Sequence, residues 1–154
     1  MSGRIEAQLK SHGVSLPQAS APAANYVPFV LSGNLLFIAG QLPVEDGMIA
    51  HTGKLGGGVS LSDGQAAARL CAVNILAQVK AATGDLDKVV RCVKLGGFVN
   101  CTADFGDQPK VMNGASDLMV LAFGETGRHA RFAVGAPSLP FDAAVEVDAI
   151  FEIA

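Results

Sequence analysis

The segment His129-Ala130-Arg131-Phe132-Ala133-Val134-Gly135, returning as Ala144-Val145-Glu146-Val147-Asp148-Ala149-Ile150, decides how this chain folds. Both halves read as β-strands, whose successive side chains alternate between faces. Val145, Val147, Ala149, Phe151 and Ile153 make one apolar face, and Glu146, Asp148 and Glu152 share the other. In the first half, Ala130, Phe132 and Val134 alternate with His129, Arg131 and Ala133. Paired as a hairpin with both apolar faces buried on one side, the strands project Arg131 and Glu146 from the same non-core surface. A guanidinium near a carboxylate, on a sheet face with no helix of its own, suits a small anionic substrate.

Working outward, the elements fall in the order strand pair, helix, strand, helix, strand pair. Ser2 to His12 forms a short amphipathic helix with Ile5 and Leu9 spaced i, i+4, and Leu16 to Ala24 is an extended arm carrying Pro17 and Pro22. Tyr26 to Leu31 and Leu35 to Gly40 are short strands around a Ser32-Gly33-Asn34 turn. A connecting excursion follows, from the Glu45-Asp46-Gly47 turn to Gly58. Ser62 and Gln65 match capping-box spacing for the first main helix, whose stripe is Ala68, Cys71, Ala72, Ile75, Leu76 and Val79. Gly84 stops it, and Val89 to Val99 is a mostly apolar strand. Pro109 opens a second helix with Val111, Ala115, Leu118 and Ala122 on one face, ended by Gly124 and Gly127. The expectation is a single α+β domain over residues 1–154, with 1–24 as an N-terminal helix and arm. One mixed sheet carries two main helices on one face. The other face, expected to hold Val93 and Leu95, then needs cover, and oligomerisation supplies it.

Composition narrows the classes. The chain of 154 residues is long enough for a core without staples. Half of it is hydrophobic, but 6% is aromatic and there is no Trp, which suits tight packing of Ala, Gly and Val. A net charge of −3 gives no basic footprint for nucleic acid, so no nucleic-acid partner is expected. No apolar run approaches the ~20 residues of a membrane span. The N-terminus lacks the pattern of a secretory signal, giving a cytoplasmic reading.

The remaining motifs are weak. Cys71, Cys92 and Cys101 are odd in number and widely spaced; the first two read as core, and Cys101, at a strand end, as accessible. Gly47 to Lys54 fails as a phosphate loop because its glycine spacing is one residue too long and Leu55 stands where Ser or Thr is needed. Glu45 and Asp46 read as solvated turn residues, and Gly56-Gly57-Gly58 as a flexible connection. His12 and His51 have no partners that suggest a metal, and no metal or cofactor is expected. His129 reads as a surface or interface histidine sharing the Arg131 face.

Several of these stretches, in this order, resemble the Rid (YjgF-type) reactive-intermediate deaminases. Ser32 to Val44, with Ala39-Gly40-Gln41-Leu42-Pro43, is similar to that family's strand followed by a small-Gly-Gln-hydrophobic-Pro motif. Asp104-Phe105, Asn113, the Ala130-Arg131 pair and Val145 to Ile150 match later motifs, so the likeness runs from about Ala23 to Ile153. The resemblance implies a chorismate-mutase-like fold and a homotrimer whose sheets form a central barrel, with a cleft at each subunit interface. It also implies hydrolysis of 2-imino or 2-enamino acids to 2-oxo acids and ammonia. Carried over by position, Arg131 would hold the substrate carboxylate and Glu146 would assist water or the imine nitrogen. Tyr26 and Asn113 would line the cleft, Gly40 would admit the ligand to the backbone, and Ala133 would offer its carbonyl. A small hydroxylated residue of the family is Ala39 here, and a position often Cys is Ala133. The Met48 to Gly58 and Gly135 to Asp142 segments are longer than in the archetype. The readings therefore rank as imine/enamine deaminase, then a small-carboxylate-binding trimer without turnover, then endoribonuclease.

Overall fold

The computed structural model describes residues 3–21 and 24–154. Its elements are α1 (Arg4–Ser11), β1 (Phe29–Ser32), β2 (Leu35–Gln41), β3 (Val44–Glu45), β4 (Met48–Ile49), α2 (Leu61–Thr83), β5 (Val89–Asn100), α3 (Gln108–Phe123), β6 (Ala130–Ala136) and β7 (Val145–Ile153). Five strands make one mixed sheet in the order β1-β2-β7-β5-β6, and β3 pairs with β4 apart from it. Ser2, Pro22 and Ala23, which belong to the expected N-terminal helix and arm, lie outside the described residues. Among the described residues no helix is long and apolar enough to cross a membrane.

The expected C-terminal hairpin does not form. β5 stands between β6 and β7, parallel to the first and antiparallel to the second. The cause is α3: a helix joining two strands carries the chain back to its starting edge, so β5 and β6 run parallel. β7 then enters between β2 and β5 and is hydrogen-bonded along both edges. This gives the strand with the cleanest alternation the central position.

Register overturns the shared Arg131 and Glu146 surface. Lateral partners point to the same side of a sheet. Arg131 is in register with Leu95 and Ala149, both buried beneath the helices. Glu146 is in register with Phe98 and Val134 on the other side. The two candidate residues therefore project from opposite faces. Leu95 likewise belongs to the helix side, not to the face needing cover. That open face instead carries Val30, Phe37, Phe98 and Val134, each between 38% and 51% exposed.

α2 and α3 cover the inner face, over a core that includes Leu36, Ile75, Leu95, Met112, Leu118 and Phe151. The cap of α2 lies two residues before the expected one: Ser60 accepts from the Asp63 N–H at 3.1 Å, and Ser62 lies inside the first turn. Gly84 ends it as expected, with a φ of 81° that a Cβ would oppose. Pro109 lies in the first turn of α3. α1 buries Ile5 and Leu9, and its first N–H groups at Arg4 and Ile5 are capped by the distant Asp87 carboxylate at 2.9 Å. These bonds hold Asp87 below the ordinary carboxylate range.

Candidate functional site

Arg131 leaves β6 toward α3. Its Nη1 donates to Asn113 Oδ1 at 2.9 Å and to Ser116 Oγ at 3.1 Å, and its Nη2 donates to the Pro109 carbonyl at 3.2 Å. Pro109, Asn113 and Ser116 follow helical spacing, so one face of α3 supplies all three acceptors. None of the three is a carboxylate, so among the described residues the fork is oriented while its positive charge stays uncompensated. Arg131 makes no ion pair with Glu146 or Asp148, which lie on the opposite face of the sheet.

Ser116 was not singled out by the sequence, and it ties Arg131 to His129. His129 Nδ1 lies 2.6 Å from the Gly127 carbonyl, and Nε2 lies 2.9 Å from Ser116 Oγ. A carbonyl only accepts, so Nδ1 carries the proton and neutral Nε2 accepts from the serine hydroxyl. That hydroxyl oxygen in turn accepts from Arg131. Burial lowers the His129 pKa, the Gly127 carbonyl opposes this, and the Arg131 charge lowers it further.

Glu146 lies at the end of β2 on the other face. A bulge between Ile38 and Gln41 interrupts the pairing of β2 with β7. A Cβ on Gly40 would overlap the Glu146 Oε2, so only glycine permits this approach. Glu146 is half-buried and, among the described residues, has no hydrogen bond or ion pair. Burial first, and the neighbouring Asp148 carboxylate second, raise its pKa above the ordinary value. Such a carboxyl exchanges protons more readily near neutrality than an exposed one.

The six expected residues thus gather in two places. Asn113 and Arg131 form one, with Ala133 two residues on, facing the helices and half-buried. Gly40 and Glu146 form the other, with Tyr26 nearby in a bend that precedes β1, not within the strand expected there. Tyr26 and Gly40 line a cavity of about 300 Å³ with Pro28, Leu42, Ile49 and Phe141. Arg131 and Glu146 stand two strands apart on opposite faces, about 10 Å across the sheet before the side chains diverge. A larger hollow of about 680 Å³, between the N-terminal arm, the β3–β4 hairpin and α2, touches none of the six.

The other sequence features resolve as structure. Lys54 Nζ donates to Asn100 Oδ1 at 2.9 Å and to the Pro137 carbonyl. Gly56 to Gly58 form a defined turn, not a loose connection, in which Gly57 and Val59 donate to the Lys54 carbonyl. Cys101, expected to be accessible, is buried, as are Cys71 and Cys92. Burial pushes the Cys92 thiol up to about 12, so it is no nucleophile. Among the described residues no three His, Cys, Asp or Glu side chains cluster as a metal site.

Residues 6–153 match the family described as "YjgF/chorismate_mutase-like, putative endoribonuclease". The chain is similar to Protein TCP17 of Trypanosoma cruzi, at 54% identity over 99% of this chain and 96% of that protein. It is similar in structure to Atu1372 of Agrobacterium tumefaciens, a protein of unknown function, with a TM-score of 0.92 and 58% identity. That match covers 97% of this chain and 92% of Atu1372. TdcF of E. coli, solved with bound serine, shares the fold with a TM-score of 0.66 and 24% identity, over 92% of this chain and 98% of TdcF.

Proposed function

The chain belongs to the YjgF/chorismate-mutase-like family, and from that premise we propose that it hydrolyses reactive 2-imino and 2-enamino acids to 2-oxo acids and ammonia. The observation that carries this reading is the Arg131 guanidinium, oriented by three uncharged acceptors and left with its charge uncompensated. A substrate carboxylate is its natural counterion, taken by the two-pronged fork. Serine, the ligand in TdcF, carries a carboxylate and a nitrogen on one carbon, as a 2-imino acid does.

The reaction needs little beyond position and polarity. Water adds to C2 of the imine, its proton passes to nitrogen, and a 2-amino-2-hydroxy acid forms. Loss of ammonia as the C–N bond breaks leaves the 2-oxo acid. Glu146, with its raised pKa, is suited to take the water proton and return it to the leaving nitrogen. An enamine joins the same route after taking a proton at carbon. No cofactor enters this route.

Both halves must meet around one ligand, and one chain holds them on opposite faces. The reading therefore requires a cleft between copies, with Arg131 and Asn113 from one and Tyr26, Gly40 and Glu146 from the next. A homotrimer closed through its open sheet faces brings a second benefit: it covers Val30, Phe37, Phe98 and Val134. A second reading, ligand binding without turnover, is favoured by the bare methyl groups of Ala39 and Ala133, which can neither donate a hydrogen bond nor act as nucleophiles.

Ammonia release from freshly generated 2-iminopropanoate, for wild type and Arg131→Ala, tests the proposal. Acceleration by wild type and its loss in the variant support it. Carboxylate binding that depends on Arg131, with no acceleration of any imine, establishes the second reading in its place.

A further inference from the structure

We propose that the cavity beside Gly40 seats the substrate's side chain, and that Phe141 makes this protein select 2-imino acids with bulky apolar side chains. The inference rests on reading Gly40 and Glu146 as half of the reaction site.

The cavity's chemistry sets the ligand class. None of its lining residues is Asp, Glu, Lys, Arg or His. Its three amide side chains already donate to backbone: Gln41 to Ala39, Asn74 to Leu42 and Val44, and Gln78 to Ser20. What remains open to a ligand is chiefly Tyr26, Pro28, Leu42, Ile49 and Phe141. A charged side chain would lose its water here without gaining an opposite charge. A methyl group would leave most of the roughly 300 Å³ unfilled, whereas an isobutyl or benzyl group would fill more of it and bury more apolar surface.

Phe141 is held in place against its own backbone preference. Phe141 and Asp142 both have φ of +58°, a conformation that bulky residues rarely adopt. Two distant segments hold it there. The Asp142 carbonyl accepts from the Gly53 N–H at 2.9 Å, and Asp142 Oδ1 accepts from Asn100 Nδ2 at 3.2 Å. Asn100 is fully buried, and its amide oxygen accepts from Lys54, which also reaches the Pro137 carbonyl. The two long loops are thus a single unit around one buried amide. Its product is an aromatic ring left 71% exposed in the chain yet lining the cavity next to Gly40. A strained backbone that presents a ring to a cavity indicates function more than stability.

The test compares kcat/KM for ammonia release from 2-iminopropanoate, 2-imino-4-methylpentanoate and 2-imino-3-phenylpropanoate. Calorimetric binding of the corresponding 2-oxo acids runs alongside, since it needs no turnover. Wild type is expected to favour the two larger ligands by about tenfold or more. Phe141→Gly suits the positive φ and removes the ring, so the preference should fall toward unity, while Phe141→Leu retains much of it. Ile49→Phe fills the cavity from another lining position and should reverse the preference. A wild-type ratio near one, or a ratio that both Phe141→Gly and Ile49→Phe leave unchanged, overturns the subsite. So does a change in the mass of the assembly with Phe141→Gly, which would make the ring a subunit contact. Selective 2-oxo-acid binding without imine turnover keeps the subsite and removes the deaminase reading; turnover without side-chain preference does the reverse.

Discussion

The two halves of the candidate site are built in opposite ways. Around Arg131 the side chains are tied together: Asn113, Ser116 and the Pro109 carbonyl hold the guanidinium, and His129 holds Ser116. Glu146 itself, among the described residues, is unpartnered: its carboxylate rests on the bare Cα of Gly40, half-buried and without a hydrogen bond. The first arrangement fixes a charge in space before a ligand arrives, so under the proposed reaction its contribution belongs to binding. The second leaves a proton site with a raised pKa free to exchange, so under the proposed reaction its contribution belongs to the chemical step.

The sharpest way to break that contrast is Glu146→Gln. It keeps size and hydrogen-bonding capacity but removes the proton site. We expect kcat for imine hydrolysis to fall about 10²–10⁴-fold while 2-oxo-acid affinity changes little. Equal losses in affinity and rate would show that Glu146 also belongs to binding. Arg131→Ala should do the converse, weakening 2-oxo-acid binding by about 100-fold, as expected for losing charge-assisted hydrogen bonds. Arg131→Lys should recover little of it, because one ammonium cannot serve α3 and the ligand together. Titration calorimetry on both variants separates the outcomes. Gly40→Ala is smaller in extent and sharper in meaning. The added methyl must displace Glu146, so kcat should fall roughly tenfold at nearly constant melting temperature. An unchanged kcat would show that the position of the carboxylate does not matter.

The same contrast separates what the sequence disclosed from what it hid. Alternation in Val145 to Ile153 correctly sorted β7 into a buried face and an acidic one, because that strand is paired on both edges and covered on one side. Glu146 was therefore legible. The sequence places Arg131 on the wrong face. Its strand lies at a sheet edge, where Arg131, Phe132 and Ala133 are all half-buried, so neither face stands out. Alternation also reports faces without reporting neighbours, and strand–helix–strand order from β5 to β6 was the better clue to parallel pairing. Ser116 could have been found from its spacing to Asn113 once Arg131 was assigned to the α3 side. The start of α2 was ambiguous because Ser60 and Ser62 are both competent caps, and only Ser60 precedes Leu61 with extended φ and ψ. Phe141 was beyond reach: nothing local marks a phenylalanine for positive φ, and the bonds that impose it come from Gly53 and Asn100.

The smallest effect distinguishes the halves by pH. His129 has a lowered pKa in the folded protein, so between that value and the unfolded value of ~6.5 the unfolded chain binds more protons. Its contribution to stability is complete above that window and declines as pH falls through it. Glu146 has a raised pKa, so from ~4.3 up to its folded value the folded chain binds more protons, and its contribution declines as pH rises. The two halves thus pull stability in opposite directions across mildly acidic pH. His129→Gln removes one pull and retains the ability to accept from Ser116 through its amide oxygen. The melting temperature of this variant, relative to wild type, should rise by a few degrees as the buffer is taken from neutral to mildly acidic pH. Substrate KM should move with it: protonated His129 can no longer accept from Ser116, and the hydroxyl that holds Arg131 is freed to turn. Parallel melting curves with a pH-independent KM would show that Arg131 is held by Asn113 and the Pro109 carbonyl alone. The partnered half would then be insulated from mildly acidic pH, and only the bare half would respond to it.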